Sequence, residues 1–347
     1  MKAIYIENHG SIENLKYSNI KDPVLKKEQV LVEVKAASIN HLDIWVRKGL
    51  PNMKVPLPLI LGSDASGVII EIGKEGKRKG YNLGDEVVIQ PGTWLSEEFK
   101  QKIDLSENFL SSYGILGETQ NGVQSEYVAL NINNIYPKPK HLSFEESASM
   151  QLVFMTAYQM LIERAQINKK RKEKVLIYGA TSGVGSAAIQ IAKYFGATIY
   201  TTVGNNSKIE YAKKMGADFI YNHNEKDWLL AAKEELKNDK IDIVFEHTGS
   251  DTWSNSLRLL SKGGRIVTCG ATTGANVKIN LAHLFMKQQS ILGSTMSSYS
   301  SFLGVMKLIE NKALFPFVDR VYKFSDIKSA HKRIEERKQF GKVVLVP

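Results

Sequence analysis

Cysteine is almost missing from this chain: Cys269 is the only one in 347 residues. That excludes an intrachain disulfide and any metal site built on several thiolates. Cys269 lies in the apolar stretch GGRIVTCGA and reads as a buried structural thiol. Long apolar runs are missing too. None reaches the ~18 residues that a membrane span needs. The opening MKAIYIENHGSIENLKYS has no apolar stretch of secretory length and reads as a strand and turn. We therefore expect a cytoplasmic protein with no membrane partner. Internal repeats and low-complexity segments are absent as well. Acidic residues are the minority charge, 36 against 46 Lys and Arg, for a net charge of +10. A basic surface can attract an anionic ligand such as a phosphorylated cofactor, or it can simply solvate helix faces. The densest run, Lys169-Lys170-Arg171-Lys172-Glu173-Lys174, reads as an exposed loop before a strand. No basic stripe interleaves with aromatics, so nucleic acid is not an expected partner.

What is present is enough chain for two domains, with 43% hydrophobic and 24% charged residues, the balance of a globular protein. The first part holds short strands between glycines. VLVEVKA at 30–36 alternates apolar and polar residues, and LGSDASGVIIEIG, GDEVVIQPG and SEYVAL follow. This texture predicts a β-rich barrel or sandwich. It changes at Ser143, where Glu146 three residues on makes a capping-box helix start. A helical stretch then runs through AYQMLIERAQ. Strands and helices alternate beyond it: VLIYGA, SAAIQIAKYFG, TIYTTV, SKIEYAKKMG, FIYN, WLLAAKEELK, IDIVFEHTG, LRLLSKGG and RIVTCGA. The alternation predicts a parallel, doubly wound sheet. Two helices, FLGVMKLIENK and IKSAHKRIEER, and a strand, KVVLVP, close the chain.

One motif carries chemistry at once. Gly179, Gly183 and Gly185 stand where an apolar strand ends and a helix begins, in GATSGVG. Side chains would block a sharp turn there and the approach of backbone to a pyrophosphate. Helix amides beyond the turn would face the phosphates. The βα context makes this a dinucleotide site. An acid closing the second strand would bind the ribose hydroxyls of NAD. Here that strand runs into Val203-Gly204-Asn205-Asn206-Ser207-Lys208, with no carboxylate. Lys208 can meet a 2′-phosphate, or it can be a solvated first-turn lysine. The expected cofactor is NADPH ahead of NADH.

Taken together and in order, AASINHLDIWVRKG, LGSDASGVIIEIG, GDEVV, LSFEESASM, GATSGVGSAAIQIAK, KKMGAD and FGKVVLVP resemble the medium-chain dehydrogenase/reductase superfamily of zinc alcohol dehydrogenases and zinc-free quinone oxidoreductases. The resemblance implies an α/β protein with a GroES-like β-rich catalytic domain, 1–150 and 298–347, around a Rossmann domain, 151–297. It implies cofactor contacts from Thr156, Gly179, Thr181, Ser182, Gly183, Val184, Gly204, Asn205, Lys208, His223, Thr248, Gly270, Ala271, Thr272, Ser294, Thr295, Met296 and Lys342. It also implies a homodimer or homotetramer formed through the edge strand Ser290-Ile291-Leu292-Gly293.

The departures from the zinc pattern concern the metal. Zinc members carry ligands where this chain has Asn40, Ser63 and Leu152, none of them a zinc ligand type. Their four-cysteine structural lobe, C-x2-C-x2-C-x7-C, falls on Ser96, Phe99, Lys102 and Leu110. No zinc is expected at either place. A structural zinc is worth about 10–16 kcal/mol to its segment. An apolar cluster of Phe99 and Leu110 with Trp94, Ile103 and Phe109 is expected to replace part of that. A metal held instead by His41, Asp43 and Asp64 stays an alternative.

Asn40, His41, Asp43, Ser63 and Asp64 match the positions that ring the family's catalytic centre. Asn40 can donate its amide to a substrate oxygen. His41 can relay a proton, or it can simply pack beside Trp45. Asp43 can orient His41 or a ribose, or serve as a turn residue. Trp45, Met53, Leu95 and Met296 are candidate pocket residues. Without a Lewis acid, electron-poor acceptors fit best. The expected activity is NADPH-dependent, zinc-free reduction of small molecules: quinones, enones or activated carbonyls. The alternatives are an alcohol dehydrogenase and an NADPH-binding protein with little turnover.

Overall fold

Alternating side chains build the first sheet. Along residues 29–36 the odd and even residues separate into half-buried and buried sets, as a strand with one face on a core requires, and residues 37–39 are buried throughout. The computed structural model of the chain describes residues 1–49, 54–75, 80–94, 106–237 and 239–347. Two compact units emerge: Met1–Leu152 with Ser298–Glu310 and Phe315–Pro347, and Val153–Ser297 with Asn311–Leu314. The short excursion Asn311–Leu314 into the second unit has no counterpart in the sequence reading.

The first unit is β-rich. Its strands are β1 (Lys2–Ile6), β2 (Lys16–Asn19), β3 (Gln29–Ile39), β4 (Leu59–Ile60), β5 (Asp64–Ile72), β6 (Glu86–Ile89), β7 (Gly92–Thr93), β8 (Gly114–Ile115), β9 (Tyr127–Asn131) and β10 (Ile135–Pro137). The second unit contributes β11 to β16. The chain then returns with β17 (Val318–Lys323) and β18 (Lys342–Val346). The main sheet runs β10-β6-β5-β3-β18-β17, with β9 also on β3. The last strand therefore lies beside β3, antiparallel, with Val344 opposite Ser38. Ile4, Val32, Val34, Ile69, Val87, Phe324 and Leu345 belong to one core between these strands.

Helix α1 (His41–Lys48) follows β3, with Asn40 as its cap. Helix α2 (Phe144–Ser147) begins at the capping box of Ser143 and Glu146, and α3 (Gln151–Tyr158) follows it.

In the second unit, parallel strands β11 (Lys174–Ile177), β12 (Thr198–Val203), β13 (Phe219–Asn222), β14 (Ile241–Glu246), β15 (Leu260–Thr268) and β16 (Ser290–Gly293) form a sheet of order β13-β12-β11-β14-β15-β16. This is a Rossmann sheet, and its order reverses between β11 and β14. Residues 175–177 are buried on both faces, as helices on either side of a parallel sheet demand. The helices are α4 (Gly183–Tyr194), α5 (Ile209–Met215), α6 (Trp228–Leu236), α7 (Ser250–Leu259) and α8 (Leu281–Met286). LRLLSKGG divides where a helix was expected. Helix α7 stops at Leu259, and Leu260 already pairs with Ile241 of β14.

Helices α9 (Tyr299–Glu310) and α10 (Ile327–Glu335) belong to the first unit. A buried polar knot joins α1 to α10. Arg47, 1% exposed, donates from Nη2 to Glu335 Oε1 at 2.8 Å and approaches His331 Nδ1 at 3.4 Å. Burial works against the Glu335 carboxylate, yet hydrogen bonds from Arg47 and Lys48 hold it down at about 2. Burial, with the Arg47 charge, pushes His331 down to about 3. His331 thus stays neutral in the fold but gains a proton below about 6.5 once unfolded. Between those values the unfolded chain binds more protons, so stability falls as pH falls. The melting temperature of wild type should therefore drop between pH 7 and pH 5. His331→Gln should flatten that drop. An equal drop in both proteins would refute this account.

Candidate active site

The glycine turn is shaped by what cannot fit. Gly179 has φ +66°, a conformation that favours glycine. A Cβ on Gly185 would lie 2.3 Å from the Gly179 carbonyl oxygen. The Gly185 amide donates to Ser182 Oγ at 2.9 Å, which caps α4. Thr202 on β12 accepts from the Gly179 amide at 3.3 Å. Thr181, Ser182, Gly183 and Val184 therefore sit on one turn at a helix N-terminus. That terminus is a cradle for phosphate whose fit depends on the missing side chains.

At the end of β12, Gly204 lies beside the exposed His223 ring, 3.6 Å from where its Cβ would stand. Asn224 Nδ2 donates to Gly204 O at 2.7 Å, and Ser207 Oγ donates to Asn205 Oδ1. Lys208 is only 7% exposed, so it is not the solvated lysine of the simpler reading. The run from Val203 to Lys208 has no carboxylate, but one stands near it. Glu225, carried in by the loop after β13, accepts from Asn206 Nδ2 at 3.2 Å and Asn222 Nδ2 at 3.3 Å. Glu225 is remote from the end of β12 in sequence, and only the fold brings it to Asn206.

Glu246 and His247, at the end of β14, were also missed. Glu246 is fully buried, and its Oε1 accepts from the amides of Thr248 at 2.8 Å and Gly249 at 3.1 Å. Its Oε2 accepts from the hydroxyls of Thr252 and Ser256, both at 2.9 Å. The carboxylate thus holds the start of α7, where a helix dipole favours negative charge. His247 Nε2 donates to Tyr178 O at 2.8 Å, and its ring lies 3.6 Å from a Cβ built on Gly179. Thr272 Oγ1 donates to His247 O at 3.1 Å. Three loops at the carboxyl ends of β11, β14 and β15 are so joined, at the point where strand order reverses. Gly270 is half-buried there, and Ala271 is exposed. Burial, helped by Glu246, pushes the neighbouring Cys269 thiol up to about 12, far from the reactive thiolate. After β16 the Ser294 amide donates to Thr268 O at 2.9 Å, while the buried Ser294 Oγ has no hydrogen-bond partner among the described residues. Thr295 is exposed, and Thr156 Oγ1 approaches Met296 Sδ at 3.8 Å.

In the first unit, Asn40, Asp43, Ser63 and Asp64 are all buried. Asp43 accepts from the Asn40 amide at 2.7 Å and the Gly62 amide at 3.0 Å. It therefore ties the α1 cap to the β5 approach instead of orienting His41 or a ribose. Burial pushes its carboxyl up to about 7, against the pull of the Asn40 amide and Lys342. His41 is exposed and packs edge-on against Trp45 at 5.1 Å, the packing alternative. Ser63 Oγ donates to Leu116 O at 2.8 Å.

Asp64 Oδ1 accepts from the Leu152 amide at 2.9 Å. Its Oδ2 accepts from Asn40 Nδ2 at 2.9 Å and from Lys342 Nζ at 3.1 Å. Lys342 Nζ also donates to Asn40 Oδ1. Lys342, expected among the cofactor contacts, is thus bound into the ring of Asn40 and Asp64. The alternative metal set fails on the same contacts, because the oxygens of Asp43 and Asp64 are already engaged. No group of three His, Cys, Asp or Glu is arranged for a metal among the described residues.

Of the zinc-lobe positions, Ser96, Phe99 and Lys102 lie outside the described residues, as do Ile103, Met53 and Leu95. Leu110 is buried, but Phe109 is 50% exposed and is not a core member. Polar and ring contacts hold the described ends. Buried Glu107 accepts from the Tyr299 amide, and Trp94 packs 6.3 Å from the Tyr299 ring.

Two family profiles match, the Alcohol dehydrogenase GroES-like domain over residues 26–140 and Zinc-binding dehydrogenase over residues 183–311. Human quinone oxidoreductase is 30% identical over 341 residues, covering 96% of this chain and 94% of its own. The chain belongs to the medium-chain dehydrogenase/reductase superfamily. This superfamily member is also 28% identical to crotonyl-CoA carboxylase/reductase of Cereibacter sphaeroides, over 96% of the chain and 83% of that protein. A crystal structure of an NAD-dependent alcohol dehydrogenase aligns at 39% identity with a TM-score of 0.93, covering 100% of both chains. The superfamily member is an oxidoreductase. In it, Gly185→Ala should force the turn backbone apart and cost about 1–3 kcal/mol, the usual range for overpacking. Dinucleotide binding should be lost with it. Chemical denaturation and fluorescence titration would measure the two, and unchanged values would contradict the cradle.

Proposed function

We propose that this chain uses NADPH to reduce quinones, enones or activated carbonyls without zinc. One observation supports the metal-free part most directly. The positions where zinc members hold their catalytic metal carry an amide, a hydroxyl engaged by Leu116 O and an aliphatic side chain, at Asn40, Ser63 and Leu152. None suits zinc.

The second unit suits a dinucleotide. Gly179, Thr181, Ser182, Gly183 and Val184 would hold its phosphates. Gly204, Asn205, Lys208 and His223 would hold its adenosine end. Thr156, Thr248, Gly270, Ala271, Thr272, Ser294, Thr295 and Met296 would line its nicotinamide end, where Ser294 Oγ has its hydrogen-bonding capacity to spare. Bound there, a reduced nicotinamide supplies a hydride, and the acceptor takes up one proton from water to balance it. The chain's own residues bind and orient. His247 and Glu246 hold the loops of the cradle, and Asn40 offers an amide donor in the first unit.

NAD-dependent alcohol oxidation is the second reading. The structural relative at 39% identity and the Glu225 carboxylate near β12 favour it. Assays decide between them. Wild type should oxidise NADPH with a quinone and enone panel, with higher kcat/KM than for NADH, and chelator should leave the rate unchanged. Chelator-sensitive alcohol oxidation with NAD would establish the second reading. Tight NADPH binding without turnover would leave a binding protein.

The reading includes a homodimer or homotetramer. Strand β16 has only β15 as a sheet neighbour among the described residues. Helix α8 just before it exposes Leu281, Phe285 and Met286 at 68%, 69% and 70%. An exposed apolar patch beside an open strand edge suits a second copy. Phe285→Asp should lower the mass measured by analytical ultracentrifugation, and a wild-type monomer would end this part.

A further inference from the structure

The basic run before β11 carries more charge than it balances. Its one acid, Glu173, is buried and already engaged. Arg265 Nη2 donates to Glu173 Oε1 at 2.9 Å, and the Asn168 amide donates to its Oε2 at 2.9 Å. Lys174 pairs with Asp239 at 2.9 Å, and Lys193, beside Tyr194, pairs with Asp218. Lys169, Lys170, Arg171 and Lys172 are all exposed, and none of them has an acidic partner among the described residues. Solvated cations are ordinary on a surface. These ones border a cavity.

An open cleft of about 370 Å³ lies at the loop. Ile162, Ile167 and Phe195 give it an apolar side, Lys169 and Arg171 give it charge, and Gln166 and Asn168 add amides. Small-molecule sites begin at about 300 Å³ and combine apolar walls with a few polar groups in this way. Lys169 is held by rings and not by an anion. Its Nζ stands 4.0 Å from the centroid of Tyr194 and 4.9 Å from that of Phe195. The two rings meet edge to face at 5.5 Å. A ring quadrupole orients an ammonium but has no net charge, so Lys169 keeps its full charge for a ligand. The cleft is also distinct from the phosphate cradle. Helix α4 begins at the glycine turn with Gly183 and ends at Tyr194, so its 12 residues separate the two by about 18 Å.

We propose that this cleft binds a phosphomonoester carried on an aromatic ring, a ligand that no step of the reductase reading uses. Such a phosphate carries about two negative charges near neutral pH, which Lys169 and Arg171 match. The guanidinium fork of Arg171 bonds two phosphate oxygens at once. The ligand's ring lies against Phe195 and the two isoleucines. Lys170 and Lys172 raise the positive potential of the loop and steer the anion in. A carboxylate would leave one cation unmatched, and inorganic phosphate would leave the apolar side uncovered.

The test titrates phenyl phosphate by calorimetry into the whole chain with excess NADP+ present, which keeps the probe out of the phosphate cradle. Wild type should bind it more tightly than benzoate or inorganic phosphate. The double variant Lys169→Gln with Arg171→Gln alters two exposed side chains, and thermal melting checks its fold. Its Kd for phenyl phosphate should rise about tenfold or more, the scale of lost charge-assisted hydrogen bonds. Phe195→Leu should weaken phenyl phosphate while changing inorganic phosphate little. The same Kd in wild type and a folded double variant would overturn the proposal. So would equal affinity of wild type for phenyl phosphate and inorganic phosphate, which would reduce the cleft to a patch of charge. Retention on heparin that the double variant loses, with no binding of phenyl phosphate to wild type, would assign the loop to a polyanion and overturn it too. No readout uses turnover, so the outcome is independent of the reductase reading.

Discussion

A buried ammonium is tolerated beside a counter-charge that accepts its hydrogen bond, and in this chain that condition organises the first unit. Lys342 opens β18, Asn40 caps α1 after β3, Asp64 opens β5, and Leu152 lies in α3. Breaking such a pair from one side costs far more than the pair contributes when whole. The contact therefore acts less as a source of stability than as a constraint on arrangement. The last strand must lie beside β3, or the cation has no anion.

The second unit solves a related problem with an anion. Glu246 is enclosed, and four groups donate to it, two amides of the loop after β14 and two hydroxyls of α7. Its hydroxyl partner Ser256 also contacts the Tyr178 hydroxyl at 3.2 Å. The glycine turn is thus braced from behind by a buried carboxylate and from the side by His247. Pre-organised loops lose less freedom when a ligand arrives.

Legibility in the sequence followed the range of each interaction. The glycine turn was readable because its constraint is local: Gly179 and Gly185 exclude side chains within a few residues of one another. Strand β3 and the Ser143 cap were readable for the same reason. The partners of Lys342, the reach of Glu225 and the knot of Arg47 with His331 were not, since each joins residues brought together only by the fold. Asp43 shows the limit well. Its position in INHLD identified the right neighbourhood, but only the 3.0 Å contact to the Gly62 amide reveals that its oxygens are already used. The lobe is a parallel case. Vacated cysteine positions pointed to an apolar substitute whose Phe99 and Ile103 lie outside the described residues, while Glu107 and Trp94 at its described ends meet Tyr299, almost two hundred residues along the chain.

The contact between Lys342 and Asn40 spans 302 positions of sequence. During synthesis, Asn40 emerges from the ribosome 302 residues ahead of Lys342. The entire Rossmann unit can be made, and can fold, before the residue that balances Asp64 exists. Until then Asp64 and Asn40 wait without their cation, in a half-built sheet whose slot beside β3 is open. These two distant parts of the polypeptide must therefore meet before the Asp64 carboxylate has its counter-ion.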